Sequence, residues 1–337
     1  MGSFFVSGLF FFCSAYLILG ITSAFPQSFG VIHRVDPRVN QLIPPDAKLE
    51  KLAEGFDWTE GPLWIPGEKC LLFTDIPKNT IYKWKEGEGI SVYLRPAGYT
   101  GENPPGFELG ANGLTLNPDG WLVMCDHGNR CVSQLNTQNF TKRILADKFE
   151  GKRLNSPNDC VFKSNGDLYF TDPPYGLRGL NKDPQKELAF NGVYRLSKNG
   201  TLALLTKEFT FPNGIAFSPD EKTLYVAQSD PDRAIWMAFE VLPDGAIANG
   251  KVLFDATSWV KQGKKGLPDG LKIDEAGNLF ATGPGGVIIF SPDGKHLGTI
   301  ETGEATSNCT FGDDGSALYI TADMYLCRIK LSTKGKF

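Results

Sequence analysis

Six times along this 337-residue chain the same short grammar returns. A polar residue is followed by an apolar run, a tight turn and a second apolar run that often ends in Asp. The stretches begin at Glu60 (EGPLWIPGEKCLLFTD), Asn112 (NGLTLNPDGWLVMCD), Asn158 (NDCVFKSNGDLYFTD), Asn213 (NGIAFSPDEKTLYVAQSD), Asp269 (DGLKIDEAGNLFATG) and Asn308 (NCTFGDDGSALYITAD). A repeat of this length is one supersecondary unit that cannot bury its own apolar face, so neighbouring copies must stack. The turns NPDG, KSNGD, SPDEK, DEAGN and GDDGS suit hairpins, because Asn, Asp and Gly tolerate positive φ and Pro presets the first turn residue. The flanking runs are rich in Leu, Ile, Val, Phe and Tyr, as strands require.

Two further strands follow each stretch. The third strands are IYKWKE, CVSQL, VYRLS, IWMAFEV, VIIFS and LCRIKL; the fourth are SVYLRP, KRILAD, LALLTK, VLFDA and LGTIE. The last repeat lacks a fourth strand, and KLEKLAEG from Lys48, just before Glu60, supplies it. A ring of sheets must close, and a blade built from both chain ends closes it while removing an exposed edge. The expected fold is therefore all-β: a six-bladed β-propeller over residues 45–332, four antiparallel strands per blade, the last blade completed by the N-terminal strand. No segment carries a clear helical period. The segment from Pro173 to Asn191 is long for a hairpin connection and reads as a lid or rim feature.

In this register each starting residue opens the innermost strand of its blade. Glu60, Asn112, Asn158, Asn213, Asp269 and Asn308 then converge at one end of one channel. Two carboxylates and four amides, without a basic residue among them, would repel and leave oxygens unpaired. A hard divalent cation resolves both problems, and an all-oxygen donor set suits Ca²⁺. The rival reading of any one Asn-Gly pair is an ordinary turn; six polar residues at one repeat position argue against it. His127 lies just past a strand end on the same rim, as a substrate contact, a proton shuttle or a solvated loop residue. His33 and His296 read as surface residues.

Other chemistries find no support. The net charge is −4 and no basic run is longer than Lys264-Lys265, which does not suit nucleic acid. No G-x-S-x-G nucleophile elbow occurs, and residues 282–286 (TGPGG) lack the Lys-Ser/Thr of a phosphate loop.

The N-terminus differs in composition. Phe4 to Ile21 is an apolar run followed by Thr22-Ser23-Ala24, which reads as a signal peptide over residues 1–24, or as a signal anchor, followed by an extension over 25–44. Cleavage would leave a secreted protein with no membrane segment. It would carry cysteines 70, 125, 131, 160, 309 and 327, which could pair in fifteen ways or stay as buried thiols. Cys125 and Cys131 flank a short loop where a bridge between facing strands is conceivable. Asn139-Phe-Thr, Asn199-Gly-Thr and Asn308-Cys-Thr fit the glycosylation pattern, with Asn308 expected inside the channel and unmodified.

Several stretches together resemble the SMP-30/gluconolactonase family, the calcium-dependent, LRE-like lactonases: EGPLW from Glu60, NSPND from Asn155, YFTDPPYG from Tyr169, PNGI from Pro212 and PDG from Pro268. The resemblance spans roughly residues 45–330. It implies that Glu60, Asn158, Asn213 and Asp269 hold one divalent metal, Ca²⁺ or in some members Zn²⁺, Mn²⁺ or Mg²⁺. It implies that Asp269 also serves as catalytic acid/base, and that Asn158 contacts substrate in some members. Where some members place a sugar-acid-binding Arg, two residues before Asn158, this chain has Ser156, with Arg153 nearby. The implied activity is hydrolysis of a small lactone. Asn112, His127, Asn158, Tyr175 and Asn308 would shape the substrate end. Arylester or phosphotriester hydrolysis on the same metal, and a non-catalytic ligand-binding propeller, are the alternatives.

Overall fold

Each of the six stretches folds as the inner hairpin of an antiparallel sheet, four-stranded in five blades and five-stranded in blade five. The computed structural model describes residues 29–104 and 106–336. Blade one is built from Thr59–Ile65, Cys70–Asp75, Thr80–Lys85 and Gly89–Leu94, ordered as in the sequence. Blades two, three and four repeat that order from Ala111–Leu116, Cys160–Phe162 and Pro212–Phe217. Blade five starts at Leu271–Ile273. Blade six takes three strands from Thr306–Lys330 and its outermost from Glu50–Glu54, which pairs antiparallel with Tyr325–Lys330. The expected closure by the N-terminal strand is thus met.

The core lies between blades rather than inside any one of them, because a sheet buries its faces only against neighbours. An apolar cluster fills each of the six junctions. Leu63, Leu72 and Ile81 of blade one pack on Leu114, Leu122 and Met124 of blade two. At the ring closure Trp64 and Phe73 pack on Tyr319 and Leu326. The second strands are buried at every position in Cys70–Asp75, Leu122–Asp126 and Leu168–Asp172.

Three features add to the sequence expectation or decide between its alternatives. Val31–Arg34, within the expected extension, adds a fifth strand to the outer edge of blade five by pairing with His296–Glu301. Val39 and Ile43 behind it are fully buried against Phe280, Ile300 and Phe311. Second, of the two readings left open for the cysteines the structure shows thiols: all six among the described residues are free and buried. Cys125 faces Val132 and Cys131 faces Asp126 in the ladder, so the two thiols belong to different rungs and point to opposite faces of the sheet. Third, one short helix, Thr257–Lys261, interrupts the crossover between blades four and five. His296, expected at the surface, packs its ring against Trp259, Phe254 and Phe290. Among the described residues no helix is long and apolar enough to cross a membrane. The apolar run from Phe4 to Ile21 lies outside them.

Candidate metal centre and active site

The start of each inner strand and the end of each second strand meet at the same end of the ring. A cavity of about 460 Å³ opens there. Glu60, Asn112, Asn158, Asn213 and Asp269 form its polar floor, and Tyr175 is on its wall. Trp58, Ile76, Pro231, Val260 and Leu267 supply apolar sides.

The residue after each starter is what lets the ring draw so tight. A Cβ on Gly61, whose φ is +48°, would stand 2.0 Å from the carbonyl oxygen of Asn112 in the next blade. A Cβ on Gly214 would stand 2.2 Å from that of Asp269. Only glycine permits those approaches. The Glu-Gly, Asn-Gly and Asp-Gly pairs are therefore not turn signals here; the glycine seats the next blade's starter. The backbone confirms the contact at blade two, where Gly113 donates to the carbonyl of Asn158 at 2.8 Å. Blades three and six break the pattern, blade six with Cys309 and blade three with Asp159, whose buried Oδ1 accepts the Cys160 N–H while Oδ2 has no partner.

Glu60 and Asp269 are the two carboxylates of the floor. Glu60 Oε2 accepts from its neighbour Gly61 N–H at 2.8 Å and from Asn308 Nδ2 at 3.0 Å. Burial pushes the Glu60 carboxyl up to about 7. Burial, and then the charge of Glu60, also raise Asp269. Burial raises Asp159 too, against the opposing charge of Lys272. The side chain of Asn213 donates to Ser229 Oγ at 2.9 Å, and Tyr175 stacks on Phe211 with centroids 5.7 Å apart.

Two expected substrate contacts stand elsewhere. His127 is fully buried, not solvated on the rim: its Nδ1 lies 2.8 Å from Glu108 Oε2, behind Asn112 and Asn158. Asn308 is buried and reaches Glu60 rather than the cavity. Ser156 is fully buried; it donates to the Pro173 carbonyl at 2.6 Å and accepts from Gly176 at 2.9 Å, so it anchors the loop bearing Tyr175. Arg153 bonds the Asn129 carbonyl at 3.1 Å. Glu108 and Ser229 line the cavity and were not singled out from sequence. Glu108 falls in an irregular connection with no repeat position to mark it. Asp159 carries a signal, since it stands where four of the six stretches have glycine after the starter.

The floor fits a hard cation. On the floor, buried oxygens of Asn112 and Asp269 have no protein partner, and an unpaired buried oxygen is costly. Among the described residues no three His, Cys, Asp or Glu side chains cluster at metal-holding distance, so amide oxygens must complete any donor set. Amide and carboxylate oxygens are ligands of Ca²⁺ rather than of soft metals.

A family model for the SMP-30/gluconolactonase/LRE-like region matches residues 58–323. The chain belongs to this family. It is 39% identical to a gluconolactonase of Zymomonas mobilis over 92% of this chain and 88% of that protein. Among solved structures, a gluconolactonase of Xanthomonas campestris is 31% identical, with a TM-score of 0.77 over 89% of this chain and 94% of that one. Regucalcin from Agrobacterium tumefaciens, described as a calcium-binding protein, shares the fold with a TM-score of 0.68 at 20% identity, covering 86% of this chain and 95% of that one.

Proposed function

We propose that this protein is a lactonase that opens a small lactone by hydrolysis at a divalent-cation site on the floor of the cavity. The observation that carries the reading is the meeting of Glu60 and Asp269 with amide oxygens at one end of the channel, with buried oxygens left unpaired. The gluconolactonase relative, matched over most of both chains, supports the reaction class. Glu60, Asn158, Asn213 and Asp269 would hold the ion, and the all-oxygen set favours Ca²⁺.

When bound, the cation supplies Lewis-acid polarisation of the lactone carbonyl. The chain's own groups do the rest. The free Oδ1 of Asp269 accepts a proton from the attacking water as oxygen bonds to the carbonyl carbon. The ring C–O bond then breaks, the ring oxygen takes up that proton, and a hydroxy acid leaves. Trp58, Ile76, Val260 and Leu267 wall the cavity against bulk water. Tyr175, held by the loop that Ser156 anchors, closes one side.

The apolar run before Thr22-Ser23-Ala24 supports export to an extracytoplasmic compartment, with cleavage after Ala24. The deciding experiment is turnover of a lactone panel in the presence of Ca²⁺, with EDTA as control, compared with phenyl acetate and paraoxon. Lactone opening that EDTA abolishes is the expected result. Turnover of paraoxon alone would move the protein to the phosphotriesterase reading, and no turnover of any of them would favour a binding module.

A further inference from the structure

We propose that Glu108 and His127 form a positioning pair that turns the amide oxygens of Asn112 and Asn158 into the cavity; the inference rests on the cation site proposed above. His127 is fully buried in the loop between Leu122–Asp126 and Cys131–Leu135. Its Nδ1 is 2.8 Å from Glu108 Oε2. A carboxylate only accepts, so a ring proton sits on Nδ1, and in the neutral ring Nε2 then carries a lone pair. That nitrogen faces two side-chain amides, Asn112 Nδ2 at 3.4 Å and Asn158 Nδ2 at 3.5 Å.

One acceptor shared by two amides settles the orientation of both. Only the NH₂ of an Asn can donate to it, so each carbonyl oxygen turns to the other side. The Asn112 oxygen is buried there without a protein partner, and both residues line the cavity floor. Were the ring proton on Nε2, the same geometry would draw the amide oxygens back to His127 and leave NH₂ groups facing the cation. Glu108 reaches the pair from a different connection and is a third exposed, so it fixes the tautomer without belonging to the packed interior. Outer partners of this kind typically change metal affinity about 10- to 100-fold when removed.

The test compares wild type, Glu108→Gln and His127→Gln. In Glu108→Gln the new side-chain amide can donate its own NH₂ to Nδ1 of His127, which releases the tautomer without removing bulk. Calcium affinity by titration calorimetry is expected to fall about 10-fold or more in Glu108→Gln, with an unchanged melting temperature after chelation. His127→Gln should lower the affinity similarly and make the Glu108 change silent in the double variant. The ring-nitrogen NMR spectrum of wild type, simple because the chain has three histidines, should show His127 neutral with its proton on Nδ1. A proton on Nε2, an imidazolium, or unchanged calcium affinity in both variants would overturn the proposal. Wild-type protein that binds no calcium would instead sink the cation-site reading beneath it.

Discussion

The carboxylate of Asp172 accepts the backbone N–H of Ser156 at 2.8 Å, two residues before Asn158. Its other oxygen takes the N–H of Asn155 at 2.8 Å. The device recurs. Asp75 takes the N–H groups of Asp57 and Trp58 at 3.1 and 3.4 Å, and Gln228 those of Thr210 and Phe211 at 3.0 and 3.1 Å. In each case the clasped residues stand three and two places before a starter: Glu60, Asn158 or Asn213. The side chain near the end of the second strand therefore aims three of the four expected ligands.

Removing such a clasp leaves two buried N–H groups unpaired, at about 1–3 kcal/mol each. Asp172→Ala should lose roughly 2–6 kcal/mol of stability in urea titrations. Asp172→Asn should lose less, because the single amide oxygen of Gln228 already serves two donors in blade four. Equal losses in the two variants would contradict the account.

Asp269→Asn should remove lactone turnover by about two orders of magnitude or more, on the scale of a lost general base. The fold should persist, since the Asp269 backbone is fixed by its bond to the Thr282 carbonyl at 2.9 Å and its Oδ1 has no protein partner. Circular dichroism and steady-state kinetics check the two halves. A fully active variant would show that Asp269 is neither base nor ligand.

Chelated protein should lose stability as pH rises. The Glu60 carboxyl sits at about 7 in the folded chain, above its ordinary value of 4.5, chiefly through burial. Asp269 is shifted in the same direction. A group raised on folding binds its proton more tightly in the folded state, so its stabilisation is full below the unfolded value and fades as pH climbs through the folded one. Thermal melts in EDTA should thus fall between about pH 4.5 and 8. Calcium replaces the protons as counter-charge: at about 100 times its Kd it should add about 2.7 kcal/mol and flatten the profile. Glu60→Gln should weaken the EDTA-dependent slope.

If the protein is exported by a eukaryotic host, Asn139 and Asn199 should carry glycans and Asn308 should not. Asn139 lies between Cys131–Leu135 and Lys142–Ala146, and Asn199 between Asn191–Leu196 and Leu202–Phe209. Both are exposed hairpins at the end of the ring opposite the cavity, so sugars there leave the site mouth free. Asn308 is buried against Glu60. Deglycosylation should shift the secreted protein by two glycans, and by one in Asn139→Gln or Asn199→Gln. A third glycan, or none, would count against this reading.

The repeat made the blades, their order and the ring closure legible, because strand pairing and hairpin chemistry are local. It also located the cavity floor, because one position per blade must share one end of the channel. What it could not carry was anything set by irregular connections. Glu108 lies in such a connection, and without it His127 reads as a rim residue instead of a buried partner of two amides. The Asp at the second-strand end was visible as a pattern, but its partners are backbone N–H groups of a crossover, which no side-chain motif records. Val31–Arg34 does not read as a strand because two of its four residues are His33 and Arg34, which hide it at a solvated edge.

That edge strand gives the last prediction. Val39, Leu42 and Ile43 follow it and are buried in the junction of blades five and six. The backbone continues the attachment: the Leu42 carbonyl accepts from Ser332 at 2.8 Å, and Arg34 bonds the carbonyls of Ile43 and Pro44. Burial of each large aliphatic side chain contributes about 1.5–3 kcal/mol. A chain starting at residue 25 keeps the whole attachment and is the reference. A chain starting at residue 45 should lose roughly 5–9 kcal/mol and melt far lower or fail to fold. Lactone turnover should follow the folded fraction alone, since the segment lies on the outer rim of blade five. A stable chain starting at residue 45 would mean that the strand is an accessory to the ring rather than part of it.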